Sequence, residues 1–298
     1  MSEFIQQLIN GLSLGSIYAL IALGYTMVYG ILKFINFAHG EIFMLGAYSG
    51  FYLANSLGVK SPSIPMALLI MLLAMIITAC IGVIIEKLAY KPLRNSSKLT
   101  VLITAIGVSL FLQYTGQLLF GADPKSFPTI IENVSFNVYG ATIGSNQIVV
   151  LVSSTLLMIA LRVIVMKTKM GIAIRAVSNN LTAASLMGIN INNVISFTFI
   201  IGSALAGAAG ILYSINYPSI DPLMGMLPGL KAFIAAVLGG IGNFPGASVG
   251  GLIIGLVETF TVGYLSPTYR DAIAFAILII ILLVKPTGLF GKKEIEKV

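Results

Sequence analysis

The chain has 298 residues, of which 57% are hydrophobic and only 9% charged. Soluble domains carry roughly 25% charged residues, so this composition, with a mean hydropathy of +1.00, excludes an ordinary soluble protein and specifies an integral membrane protein. The net charge of +7 does not imply nucleic acid, because the basic residues are spread over short loops and form no single face. A lone cysteine, Cys80, and a lone histidine, His39, leave no disulfide, no thiolate cluster and no multi-histidine metal centre.

Taken in order, the chain opens with MSEFIQQL, which has no basic n-region, and runs into an apolar stretch over 4–31 that is too long for a signal-peptide core. The stretch reads as a retained span with excess length to tilt. Gly11, Gly15 and Ala19 lie four apart on it and let another helix approach closely. Tyr18, Tyr25, Thr26 and Tyr29 put polar tips along the same span. Further spans are expected over 41–57, 65–85, 99–120, 147–166, 194–215, 229–241, 247–265 and 272–284. That makes an all-α helical bundle of nine crossings, or eight if the short 229–241 and 247–265 pair is misread. Residues 86–98 read as a basic loop, and 121–146 as a long polar loop with turn formers.

Lysine and arginine set the orientation. Residues 86–98, 162–193 and 285–298 hold four each and Lys33 adds one, giving thirteen on one side. Lys60, Lys125, Lys231 and Arg270 fall on the other. The side with thirteen is read as cytoplasmic, with the N-terminus outside and the C-terminus inside. A two-lobed pseudo-repeat is visible: Gly11/Gly15/Ala19 matches Gly202/Ala206/Gly210, and 36–40, NFAHG, matches 243–246, NFPG. Duplicated halves are common in transporters.

The loop over 167–193 is helical in character but too polar to cross a bilayer. Asn180 is placed to cap a short helix over 181–187, and Gly188 to end it in the left-handed conformation. Leu181, Ala184 and Met187 recur three apart on one apolar stripe. Such an element reads either as a docking knob for a soluble partner or as a helix lying on its own bundle.

No enzymatic constellation is present in the sequence. It has no Cys/His pair, no paired-carboxylate motif, no metal-ligand spacing and no GxxxxGK[ST], so any nucleotide site must be on another chain. Glu258 is the one carboxylate well inside a span, with either a structural or a pathway role. His39 and Glu41 stand at a span entrance, as interfacial anchors or as solute contacts. The glycines between 239 and 255 serve close packing or line a cavity. The candidate path residues are therefore Tyr18, Tyr25, Thr26, His39, Glu41 and Glu258.

Two blocks carry a family resemblance: residues 24–41, GYTMVYGILKFINFAHGE, and residues 231–255, KAFIAAVLGGIGNFPGASVGGLIIG. Both resemble the permease subunits of branched-chain amino acid ABC transporters of the Liv type, and the similarity covers essentially the whole chain. The N-terminal region resembles the shorter of the two permease subunits in that family. The resemblance implies one permease domain over 1–298 that carries no cofactor of its own, in the inner membrane of a bacterial cell. It implies a second homologous permease subunit, two cytoplasmic ATPase subunits holding ATP and Mg, and an extracytoplasmic binding protein. It implies leucine, isoleucine or valine as solute, with urea, short amides or other amino acids as alternatives within the class. ABC importers carry an E-A-A-x-x-x-G pattern at the ATPase contact; here 182–188 reads TAASLMG, with Thr182 in place of the glutamate. The resemblance thus points to Leu181, Ala183, Ala184, Leu186, Met187 and Gly188 as coupling residues, with Arg175 as a polar contact. The competing class is a stand-alone channel or ion-coupled carrier, which would work without an ATPase.

Overall fold

The computed structural model describes residues 2–291 except 60, 95 and 139. Lys60, Lys292, Lys293 and Lys297, which entered the orientation count, lie outside the described residues. Eleven α-helices follow the apolar pattern among the described residues. Seven elements are long and apolar enough to cross a membrane: Ser2–Leu32 (α1), Ile64–Leu93 (α3 and its extension), Lys98–Phe120 (α4), Ser145–Lys167 (α5), Ile191–Asn216 (α8), Phe244–Tyr264 (α10) and Pro267–Val284, which contains α11 (Arg270–Val284). The other two expected spans are α2 (His39–Ser56) and α9 (Met226–Gly239). At 14 residues, α9 is about 21 Å long, short of the roughly 30 Å hydrocarbon core. The polar linker forms α6 (Lys169–Asn179) and α7 (Leu181–Leu186).

The helices pack as an inverted pair of halves. In the first half, α1 is followed by α2, which runs beside α8 in the same direction: Gly46 meets Gly207, and Phe43 and Ala47 meet Gly210. In the second half, α8 is followed by α9, which runs antiparallel to α10 with Gly239 against Gly246 and Ala235 against Gly250. Across the halves, α1 lies antiparallel on α10, where Gly15 faces Gly255 and Leu252, and Ala19 faces Gly251. In the same manner α8 lies antiparallel on α3, where Ser203 faces Gly82 and Gly207 faces Thr78. A Cβ at Gly15 would stand 2.8 Å from the Leu252 Cα, closer than any real side chain is found. The four-residue glycine stripes are therefore the sites of backbone approach, as small-xxx-small spacing predicts.

This architecture corrects one half of the expected repeat. The α1 and α8 stripes are equivalent, but the start of α2 has its counterpart at the start of α9, not at 243–246. Asn36 accepts from the Tyr90 hydroxyl at 2.5 Å, whereas Asn243 caps α10 by accepting from the Gly246 N–H. The two NF segments share letters and not roles.

Two loops are more ordered than their composition suggests. The 121–146 region forms an antiparallel hairpin, Ser135–Val138 (β2) with Ala141–Gly144 (β3), and Lys125–Ser126 (β1) pairs with Ser219–Ile220 (β4). The helix of α3 continues through a π-turn, Glu86–Tyr90, and a 3-10 turn, Lys91–Leu93. The cause is Glu86, which is fully buried: it takes the Arg94 guanidinium on one oxygen and the Ser196 hydroxyl on the other at 2.9 Å. Arg94 also reaches Asn192 at 2.5 Å, so this end of α3 is tied to α8.

Buried apolar residues concentrate on α1, α2, α8 and α9. The outer faces of α3, α4, α5 and α11 expose leucine, isoleucine and phenylalanine, as a lipid-facing or subunit-facing surface must.

Candidate functional site: a capped knob and two buried carboxylates

At the basic end, α5 passes into α6 through Thr168, whose hydroxyl accepts from the Gly171 N–H at 3.0 Å. The Asn180 side chain accepts from the Ala183 N–H at 2.9 Å and starts α7. Gly188 has φ +81; its N–H bonds the Ser185 carbonyl at 3.0 Å, and the Ile189 N–H bonds the Ala184 carbonyl at 3.1 Å. Those two bonds are a Schellman ending, which needs glycine at this place. The result is a rigid knob. Leu186 and Met187 are 84% and 83% exposed at its tip, and Leu181 and Ala183 are exposed beside them. Ala184 faces inward and is buried against the bundle. Arg175 turns back onto α5, donating to the Val165 carbonyl. Of the residues expected at a coupling surface, then, Ala184 and Arg175 hold the knob and the others present it.

The six candidate path residues are all buried, but they are not one site. His39 begins α2 and packs its ring against Tyr25, with centroids 4.8 Å apart. Gly24 makes room for it, because a Cβ there would fall on the imidazole. Since Gly24 lies eight residues before the end of α1, α2 starts about 12 Å back along α1, inside the bundle. At the same place α9 begins: the carbonyl oxygens of Gly40 and Gly225 each occupy the space where the other's Cβ would be. Two helix N-termini therefore meet in the interior. Beside them is a cavity of about 180 Å³, lined by Tyr25, Glu41, Gln113 and apolar side chains of α4 and α9. Glu41 accepts from the Ser109 hydroxyl at 3.1 Å through one carboxylate oxygen, and its other oxygen, Oε2, has no hydrogen-bond partner among the described residues. Thr26 is buried and does not line this cavity.

Glu258 belongs to a different place. It accepts from Lys231 at 2.9 Å and from Arg270, and Lys231 also pairs with Asp271 at 2.6 Å. Lys231 is 3% exposed and sits within α9, so its place in the outer-loop charge count is corrected: it is an intramembrane cation. The signal was available, because a lysine three residues into an expected span needs a partner. Glu258 and Arg270 border a polar cavity of about 450 Å³ with Asn10, Ser13, Gln147 and Asn216, at the end opposite the knob. Tyr18 lies beside Glu258 in the interior.

Comparison with known proteins closes the assignment. The family model described as "Branched-chain amino acid transport system / permease component" matches residues 7–282. The chain is 44% identical over 302 residues to the high-affinity branched-chain amino acid transport system permease protein BraD of Pseudomonas aeruginosa, covering 99% of this chain and 98% of that one. It is 45% identical over 302 residues to LivH, the permease protein of the same description from Escherichia coli K12, with the same coverage. A probable LivH from Methanocaldococcus jannaschii is 31% identical over 294 residues, covering 93% of this chain and 89% of that one. A multi-pass membrane protein with these relatives and no enzyme among them is a transport component: the chain belongs to the permease family of branched-chain amino acid transport systems.

Proposed function

We propose that this chain is a membrane-spanning subunit of an ATP-driven importer that carries leucine, isoleucine and valine across the inner membrane of a bacterial cell. The observation that carries the reading is the near-full-length match to high-affinity branched-chain amino acid permeases. The chain forms one permease domain, with residues 167–193 in the cytoplasm. The knob of α7 seats in an ATPase subunit, and Leu181, Leu186 and Met187 make the apolar contact. ATP and Mg are held by two such ATPase subunits. A second, homologous permease subunit covers part of the exposed apolar face, and a binding protein delivers the solute to the side opposite the knob. Nucleotide biases two arrangements of the halves that differ by a few kcal/mol, and the meeting point of α2 and α9 is where the path changes access. Glu258, the acid on which an ion-coupled carrier reading would rest, is held by two cations.

The test is uptake of labelled leucine into proteoliposomes holding the assembled complex. Uptake should require ATP and the ATPase subunits. The double substitution Leu186→Asp, Met187→Asp should cut it at least tenfold while the complex still elutes as a folded species, since both side chains stand clear of the bundle. Uptake by this chain alone, without nucleotide, would establish the channel or carrier class instead.

A further inference from the structure

The junction of α2 and α9 is furnished for more than passage. Glu41 is 2% exposed, yet its Oε2 has no hydrogen-bond partner among the described residues. That oxygen looks toward the junction: a Cβ on Gly225 would stand 3.3 Å from it. A buried carboxylate oxygen left without a partner is costly, because the desolvation is not returned by a bond. The two helices that start here are also without side-chain caps. Such caps are absent from α3, α5 and α11 as well, whereas α4, α6, α7, α8 and α10 are capped by Ser97, Thr168, Asn180, Asn190 and Asn243. Among the described residues, only at α2 and α9 do two uncapped starts meet beside a buried carboxylate. In these first turns the His39 and Met226 N–H groups bond the Asn36 and Leu223 carbonyls and Pro228 has none. The N–H groups of Gly40, Glu41 and Leu227 are therefore the donors left at the positive ends of the two helix dipoles. A negative group is bound well in such a place, and broken helices meeting within a membrane bind solutes in this way.

One site therefore offers an acceptor for a cation and donors for an anion within a single cavity. The cavity, about 180 Å³, exceeds the roughly 30 Å³ that one water takes in the liquid. Its remaining wall is apolar, from Ile106 and Leu110 of α4 and Met226 and Leu230 of α9. We propose that this cavity is a solute site for a zwitterionic α-amino acid: Glu41 Oε2 accepts from the α-ammonium, the uncapped first turns of α2 and α9 receive the α-carboxylate, and the apolar wall takes the side chain. The proposal rests on the importer reading above and gives it a location. The larger cavity at the opposite end is not equivalent, because its charged groups, Glu258 and Arg270, are already paired with each other.

The test uses the assembled complex in detergent, with a diazirine analogue of L-leucine as photo-crosslinking probe. Adducts should map to Ile106, Leu110, Met226 or Leu230. An excess of leucine should abolish them. 4-Methylpentanoate, which has the same side chain and carboxylate but no ammonium, should not. Glu41→Gln should lower both the adducts and ATP-driven leucine uptake at least tenfold, with Glu41→Asp in between. Should Glu41→Gln fail to assemble, the wild-type map and the 4-methylpentanoate competition decide alone. Adducts absent from those four residues, equal competition by 4-methylpentanoate, or normal uptake by a folded Glu41→Gln complex would each overturn the site and leave the importer reading standing. A wild-type complex unable to take up leucine with ATP would instead remove the importer reading.

Discussion

The two halves of the molecule, α1–α4 and α8–α11, share a topology, and a buried carboxylate borders a cavity in each, Glu41 in the first and Glu258 in the second, but the two are held in different ways. In the second half Glu258 is enclosed by Lys231 and Arg270, with Asp271 completing a four-charge group that is neutral as a whole. It joins α9, α10 and the start of α11. In the first half Glu41 has one hydroxyl, from Ser109 on α4, and no cation or hydrogen-bond donor on its other oxygen among the described residues. A carboxylate with two cations is a brace, because removing it leaves charges stranded in a medium that does not solvate them. Both carboxylates border a cavity and have an Oε2 without a hydrogen-bond partner among the described residues. The difference is that Glu258 already holds two cations on its Oε1, whereas Glu41 holds only a neutral hydroxyl and so has capacity for a cationic group that comes and goes. The same residue type therefore does structural work in one half and is left available in the other.

The largest expected effect breaks the brace. Glu258→Ala should destabilise the folded chain by about 3–5 kcal/mol, since Lys231 and Arg270 then lose their one fully buried counter-charge and only the part-exposed Asp271 remains. Thermal unfolding of the detergent-solubilised protein measures this. The double substitution Lys231→Met, Glu258→Met should recover most of the loss, because an apolar pair of similar volume removes the stranded charge. Glu41→Gln should shift the same midpoint far less, since only one neutral hydroxyl loses a charged acceptor, worth about 1 kcal/mol. Equal losses for Glu258→Ala and Glu41→Gln would end the contrast between the halves.

A smaller effect sharpens it. At Gly24 a Cβ would fall on the His39 imidazole and stand 3.1 Å from the Gly202 carbonyl. Gly24→Ala should therefore cost about 1–3 kcal/mol by overpacking, and should displace the start of α2 on which Glu41 is mounted. Gly107→Ala, on the exposed α4 where nothing lies within 4 Å, should be neutral or slightly stabilising by helix propensity. If the two alanines behave alike, the tight junction of α1 with α2 does not set the position of Glu41.

What could be read from the sequence divides along the same line between local and distant causes. The apolar helices, the glycine stripes of α1 and α8, the Asn180 cap and the Gly188 ending are all decided within a few residues, and each appears where the pattern puts it. Lys231 was misplaced because a lysine near the end of an expected span is ordinarily assumed to reach the interface. Its partner Glu258 is 27 residues further on, and only packing brings them together. The π-turn after α3 was hidden for the same reason, since Glu86 is held by Ser196 from a helix 110 residues away. The sequence pattern places the start of α2 at a span entrance. That α2 and α9 begin against each other inside the bundle depends on Gly40 and Gly225 meeting, and nothing in either segment alone records the other.

The smallest effect lies outside both halves. Asn180→Ala removes the one side-chain bond that starts α7, and such caps are worth about 1 kcal/mol. Because α7 has only six residues, it has no surplus of helical bonds to hold its first turn in place. Fraying there would displace Leu181 and Ala183, while the Schellman ending at Gly188 still holds Leu186 and Met187. The ratio of intact to frayed knobs should fall by about fivefold, the factor that about 1 kcal/mol sets. ATP-driven uptake should fall by no more than that, the unfolding midpoint of the bundle should stay unchanged, and Asn180→Asp or Asn180→Ser should restore uptake, since both can accept the same bond. Loss of uptake together with loss of the midpoint would mean that α7 supports the bundle instead of standing apart from it.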